Sequence, residues 1–403
     1  MIDNSIIEKA ELNLQKHFKY FEDVAQFNQE KVLKAFQNQR VALRHFVGTT
    51  GYGYGDEGRD VLNLLLADVF KAEKAVCSPT IVSGTHALSL CLYGVLRPNQ
   101  RALCVTGKPY DTLLDVVYGE DNGSLKDFGV LFDCIELKDN KIDFDAIKND
   151  LLNNGMPSMI YIQRSRGYAW REALSIDAIK DVVDFVRELG FDGCIMLDNC
   201  YGEFLEKREA TEVGVDLIAG SMIKNLGGGI APTGGYFAGK EKYVDMVINR
   251  MTAPSIGGEV GSYAYGYQYF YQGLFMSPHV VLQAVKGSLL FAEVMRLRGY
   301  EVSPSRDEIP SDIITAIKFN DKEKLISFIQ TIQKNSPIDS YVDALPWDMP
   351  GYEEQVIMAA GCFVQGSSIE LSADAPIKEP YIAYLQGGIT YEHCKAVIKN
   401  LKV

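Results

Sequence analysis

The spacing of apolar and polar positions changes several times along the chain. Over residues 5–45, Ile6, Leu12, Leu14, Phe18, Phe21, Val24 and Phe27 recur at roughly helical intervals among charged residues, which predicts helices. Residues 48–59 then crowd five glycines among the hydroxyls of Thr49, Thr50, Tyr52 and Tyr54, which predicts a loop before a helix over 60–70. From about 75 to 240, apolar runs at 75–77, 101–105, 159–162, 194–197, 217–219 and 235–238 alternate with helical patterns such as 175–189. Alternation of this kind implies an α/β fold, a mostly parallel sheet with helices on both faces.

The pattern shifts again beyond that point. Residues 278–298 predict a long helix leading away from the sheet. Apolar runs at 313–319, 356–363, 368–372 and 381–386 follow, with helices over 321–333 and 391–401. This is the texture of a smaller α+β domain. The expected division is an N-terminal helical arm over 1–50, a large domain over 51–277 and a small C-terminal domain over 278–403. A chain of 403 residues suffices for such a pair.

Composition narrows the partners. Forty basic residues against 53 acidic ones leave a net charge of −13, which argues against nucleic acid as the main partner. No apolar run approaches the length of a membrane span, and the start carries no basic segment followed by an apolar one. The eight cysteines are scattered, without a C-x-x-C pair, and read as buried free thiols of a reducing cytoplasm. Cys200 is expected to pack rather than to act. No His/Cys/carboxylate cluster has metal-ligand spacing, so no metal is expected.

The chemistry concentrates in two segments. The run 194–197 ends in Asp198-Asn199. Lys224 follows in an apolar stretch and precedes Asn225-Leu226-Gly227-Gly228-Gly229. An acid at a strand end and a lysine before a glycine-rich loop suit pyridoxal 5′-phosphate (PLP). The lysine can join the cofactor aldehyde, and the carboxylate can pair with the protonated ring nitrogen. Desolvation in the apolar stretch is expected to lower the Lys224 pKa. Ser83-Gly84-Thr85 offers a helix N-terminus for the phosphate, with Gly84 admitting the anion and Thr85 adding a hydroxyl. Ser221 can donate to the same group. Tyr110, after the run ending at Val105, can stack on the ring and move a proton. His86 is read as structural.

These residues, in this order, resemble fold-type I PLP enzymes, most nearly the transsulfuration group of cystathionine and methionine lyases. The runs 53–56, 163–168, 224–235 and 369–374 are similar to the methionine gamma-lyase-like branch that carries the name aluminium resistance protein. The resemblance implies a seven-stranded central sheet and a homodimer or tetramer of dimers with sites at the subunit interface. It also implies that Tyr54 or Tyr52 reaches the neighbouring subunit's cofactor phosphate. It further implies a carbon–sulfur lyase on a sulfur amino acid, with Lys224 and Tyr110 catalytic. Three places depart from the group's pattern. No arginine follows Tyr54 at the usual spacing, Ile223 replaces a threonine, and Glu370 stands where an arginine holds the substrate carboxylate. Lys378 and Arg164 are the substitutes considered. Aminotransfer, aldol cleavage, or a non-catalytic scaffold remain the alternatives.

Overall fold

The structure, a computed structural model, describes residues 2–349 and 352–402. Seven strands form one sheet: β1 (Lys74–Ser78), β2 (Arg101–Cys104), β3 (Leu131–Cys134), β4 (Met159–Gln163), β5 (Cys194–Asp198), β6 (Leu217–Ser221) and β7 (Gly235–Gly239). Their order is β1-β7-β6-β5-β4-β2-β3. β7 alone is reversed, pairing antiparallel with both β1 and β6, and the other pairs are parallel. The sheet is therefore mostly parallel, as its near-continuous apolar strands require.

Side-chain alternation sorts each central strand between two layers. Leu103, Ile160, Ile162, Ile195, Leu197 and Ile218 enter the larger core. Ala102, Cys104, Met159, Tyr161, Cys194 and Met196 enter the core on the other face. Helices cover both. Helix α1 (Asn4–Asn38) and α2 (Glu57–Phe70) contribute to the first, and α3 (Gly84–Val95) to the second. α4 (Asp111–Tyr118), α5 (Phe144–Asn153), α6 (Ile176–Glu188) and α7 (Glu241–Met251) complete the layers. α6 shows the logic well. Ile176, Ile179, Val182, Val183 and Val186 form its buried stripe, and the Ser175 hydroxyl accepts the Ala178 N–H to cap it.

Helix α8 (Gln268–Leu297) links this sheet to a second one. It begins ten residues before the position that Pro278 suggests. Proline inside a helix removes one backbone donor. Here packing overrides that signal. Gly273 brings the helix against Gly227, since a Cβ there would stand 2.4 Å from the Gly227 carbonyl oxygen. The Ser277 hydroxyl bonds the Gly273 carbonyl at 2.8 Å and also reaches the Leu226 carbonyl. α1 lies along α8. Its buried stripe is Ile7, Ala10, Leu14, Phe21, Val24, Val32 and Ala35, whereas Leu12 and Phe27 are exposed. Asn13 of α1 donates to Glu293 of α8 at 2.7 Å, joining the pair, and Asn28 of α1 donates to the Glu206 carbonyl at 3.0 Å, tying it to its surroundings.

The second sheet is antiparallel throughout. β8 (Glu301–Ser303), β9 (Ile314–Lys318), β10 (Val356–Ala359), β11 (Ser372–Pro376) and β12 (Ile382–Gln386) lie in the order β10-β11-β12-β9-β8. α9 (Lys322–Lys334) packs on it, and α10 (Tyr391–Asn400) packs on α8 and α9. No helix among the described residues is long and apolar enough to cross a membrane.

Gly228 is the point where the glycine run becomes obligatory. Its φ is +56°, and a Cβ would meet the Gly273 carbonyl oxygen at 2.6 Å. We expect Gly228→Ala to lower the unfolding free energy by about 1–3 kcal/mol, from left-handed strain plus the overlap. A shift of the urea midpoint at unchanged slope measures it, and an unshifted midpoint refutes the close approach.

Candidate active site

The parallel register of β5 and β6 builds the floor of the site. Asp198 pairs with Ala219, so Ser221 emerges just beyond it at the same sheet edge. Strand carboxyl ends are where open α/β sheets bind ligands. Lys224 follows Ser221 at the start of the glycine-rich turn. The N-terminus of α3 faces them, and a Cβ added to Gly84 would stand 3.2 Å from the Ser221 Cβ. Ser83 caps α3 by accepting the His86 N–H at 3.0 Å. Gly84 and Thr85 belong to the first turn, whose amides have no carbonyl partner within the helix. The Thr85 and Thr112 hydroxyls bond at 2.9 Å.

One cavity of about 280 Å³ is lined by Gly84, Thr85, Tyr110, Asp198, Ser221 and Lys224 together. The second sheet supplies its other wall through Met358, Ala359, Asp374 and Gln386. The size lies near the lower end for small-molecule sites. Tyr110 is positioned by Gln163, whose side-chain oxygen accepts the Tyr110 N–H at 2.7 Å. The Tyr110 hydroxyl meets that of Tyr352 at 2.9 Å.

Lys224 Nζ stands 4.0 Å from the Tyr201 ring centroid. Tyr201 has a left-handed backbone, φ +69°, and its hydroxyl donates to Ser368 at 2.8 Å. Sequence reading missed this tyrosine. Its place three residues past Asp198 was the available signal. Cys200, expected only to pack, also lines the cavity, and its N–H donates to Asp198 Oδ1 at 3.1 Å.

The electrostatics reverse one expectation. Burial pulls the Lys224 pKa down, but Tyr201, Cys200 and Asp198 outweigh it and hold the amine above the usual lysine range. Burial raises both the Cys200 thiol and the Tyr201 phenol, which leaves the carboxyl groups of Asp198 and Asp374 as the acids that act on Lys224 at neutral pH. Asp198 itself is pushed up by burial, against the pull of Lys224. Asp374 is raised to about 6 by burial, opposed by the Tyr168 hydrogen bond and by Lys224. Tyr110 is raised well above its usual range by burial, then by Asp374 and Tyr352, so it stands as a neutral phenol.

Other expected residues lie elsewhere. Arg164 is buried, but its guanidinium donates to Asn199 at 2.9 Å, Glu206 at 2.8 Å and the Leu174 carbonyl at 3.3 Å, and it does not line the cavity. Lys378 is exposed, also outside the lining. Glu370 spends both oxygens on the N–H groups of Phe363 and Val364, each at 2.9 Å. Tyr54 and Tyr52 are 69% and 72% exposed, their rings 5.6 Å apart. Arg59 is turned inward, donating to the Gly53 carbonyl at 3.1 Å. His86 Nδ1 accepts the Val82 N–H at 3.2 Å, a structural contact. Among the described residues, no three His, Cys, Asp or Glu side chains form a metal-holding group.

The donor set fits PLP. An amine, a buried carboxylate at a strand end, and a helix N-terminus pressed against a serine share one cavity. A family model for methionine gamma-lyase matches residues 3–402. The uncharacterized protein YnbB of Bacillus subtilis (strain 168) is 47% identical over 394 residues, covering 97% of this chain and 93% of that protein. The crystal structure of a carbon-sulfur lyase involved in aluminum resistance from Clostridium novyi NT is similar at TM-score 0.94 and 50% identity, covering 98% of this chain and 93% of that one. A methionine gamma lyase from Micromonospora echinospora shares the fold at TM-score 0.57 and 15% identity, over 90% and 92% of the two chains. With a family match spanning nearly its whole length, the chain belongs to the methionine gamma-lyase family.

Proposed function

We propose that this protein is a PLP-dependent carbon–sulfur lyase acting on a sulfur-containing amino acid. The observation that carries the reading is the meeting of Lys224, Asp198 and the α3 N-terminus in one cavity, in a chain of the methionine gamma-lyase family. The cofactor, when bound, supplies an aldehyde for an amine and a ring that draws electrons from the substrate α-carbon.

The chain's own groups divide the remaining work. Lys224 Nζ would be the covalent anchor and, once the substrate amine has displaced it, would be free to take the proton from the substrate Cα. Asp198 would hold the positive charge on the ring nitrogen. The Gly84 and Thr85 amides and the Ser221 hydroxyl would hold the phosphate. Tyr110, a neutral phenol, is suited to give a proton to the leaving sulfur rather than to take one from the substrate amine. Loss of a thiol followed by hydrolysis with one water gives a keto acid and ammonia.

The same reading includes a homo-oligomer with Tyr54 serving the neighbouring site. Its support is local. Tyr52 and Tyr54 are exposed side by side on a loop held against residues 261–262, since the Tyr52 carbonyl accepts the Gly261 N–H at 3.0 Å and the Ser262 hydroxyl donates to the Gly51 carbonyl at 2.8 Å.

Each of these roles has an expected outcome. Protein purified with PLP absorbs in the visible, and borohydride fixes the cofactor on Lys224. Lys224→Ala loses both the fixed adduct and turnover, and an adduct retained elsewhere refutes the anchor. Tyr110→Phe lowers kcat by about 10²- to 10⁴-fold while the cofactor spectrum is kept. An unchanged kcat removes Tyr110 from the proton path. Tyr54→Ala weakens cofactor retention on dialysis by about tenfold, the loss of one charge-assisted hydrogen bond, and equal retention refutes the reach across subunits. Assay of ammonia and keto acid separates this reaction from aminotransfer, which leaves an aminated cofactor and no ammonia.

A further inference from the structure

The edge of the first sheet carries a pair of thiols that the proposed chemistry does not use. Cys104 closes β2 and Cys134 closes β3, and the parallel register sets them opposite one another. Register partners on neighbouring strands point to the same face, and both side chains pack in the same core layer. Each thiol has the other as a hydrogen-bond partner. The Cys104 sulfur also lies 2.9 Å from the Gly107 carbonyl, to which it can donate, and 3.5 Å from the Thr106 hydroxyl. The Tyr118 hydroxyl, at the end of α4, stands 3.4 Å from the Cys134 sulfur. Adjacent strands run about 4.8 Å apart, and a disulfide spans Cα separations of about 4.4–6.8 Å. The two backbones therefore already stand at bridging distance.

Exposure and charge single out one member of the pair. Of the eight cysteines, Cys134 alone is not fully buried. The Cys104 hydrogen bond, with help from Tyr118 and against burial, brings the Cys134 thiol down to about 7. Burial raises the other seven, Cys77, Cys362 and Cys394 to about 12. The thiolate is the reactive form, so an oxidant meets Cys134 first. Cys104 is shielded from the oxidant but placed to resolve what forms on its neighbour. We propose that Cys104 and Cys134 are a peroxide-reactive dithiol that closes to a cross-strand disulfide. The Cys134 thiolate attacks one oxygen of the peroxide, the O–O bond breaks, and the other oxygen takes up a proton and leaves as water. Cys134 is then a sulfenic acid. The Cys104 sulfur displaces its hydroxyl, the S–S bond forms, and the Cys104 proton leaves with that hydroxyl as a second water. Two thiols and one hydrogen peroxide thus give one disulfide and two waters. Closure also takes away the proton that the Gly107 carbonyl accepts, in the segment leading from β2 to Tyr110.

Peptide mapping tests the inference without reference to turnover, since neither thiol lines the Lys224 cavity. The full-length protein is reduced, desalted and treated with stoichiometric hydrogen peroxide. It is then unfolded in an alkylating reagent, digested and read by mass spectrometry. Two of the eight thiols are lost, a linked pair of peptides carries Cys104 and Cys134, and dithiothreitol restores both thiols. In Cys104→Ser the oxidation stops at the sulfenic acid of Cys134, which dimedone labels. In Cys134→Ser the rate of thiol loss falls about tenfold or more, because the remaining thiols are protonated at neutral pH. Recovery of both Cys104 and Cys134 as alkylated thiols from the treated wild-type protein overturns the inference, and needs no variant to fold. A link between any other two cysteines, or between the Cys134 residues of two chains, also overturns it. So does thiol loss in Cys134→Ser at the wild-type rate.

Discussion

Everything in the site depends on holding one ammonium among acids where little water reaches it. Lys224 sits over the Tyr201 ring, with Asp198 on one sheet and Asp374 on the other. Removing any of these charges from water is costly unless partners replace the hydration. The fold supplies those partners by register. β5 ends at Asp198, β6 ends at Ser221, and the turn that follows is thrown back by Gly228 against α8. Because Gly273 admits the loop backbone, the helix that joins the two sheets also fixes the lysine's turn. The turn that carries Lys224 and the joint between the two sheets are therefore one packing event.

The second sheet does more than close a lid over the first. It contributes to the cavity a carboxylate and one of its donors, Asp374 and Gln386, while the other donor, Tyr168, comes from the loop after β4 of the first sheet. Tyr168 also anchors the two units, since its carbonyl accepts the Tyr384 hydroxyl. Arg166 adds a buried ion pair to Asp312 at 3.2 Å. Contacts of this sort, leaving a buried charge if either partner is removed, specify one closed arrangement rather than adding much net stability.

The central strands were legible because strands buried on both faces read as unbroken apolar runs. β3 was not, because Leu131 and Asp133 are exposed on an edge strand with no such run. β8, three residues at the opposite edge of the second sheet, escaped for the same reason. The start of α8 was hidden by Pro278, whose local signal yields to the contact between two glycines distant in sequence. At the site, Lys224, Asp198, Ser221 and the α3 cap were visible because they sit at strand or helix ends, where chemistry and secondary structure share a boundary. Tyr201 and Tyr352 were not. One depends on a left-handed backbone and the other on a loop without periodicity. Arg164 carried a misleading signal. Nothing in sequence shows that Asn199 and Glu206 already take its donors.

Glu370 and Asp374 show two uses of an acid within one short segment. Glu370 stands where the resemblance places an arginine, and its carboxylate is used up in holding the turn at Phe363 and Val364. It is thereby removed from ligand binding, so its charge says little about the substrate. Asp374, four residues on, keeps spare acceptors facing the cavity. Its pKa of about 6 leaves it mostly ionised at neutral pH. The first acid shapes a turn, and the second adds a negative field beside Lys224.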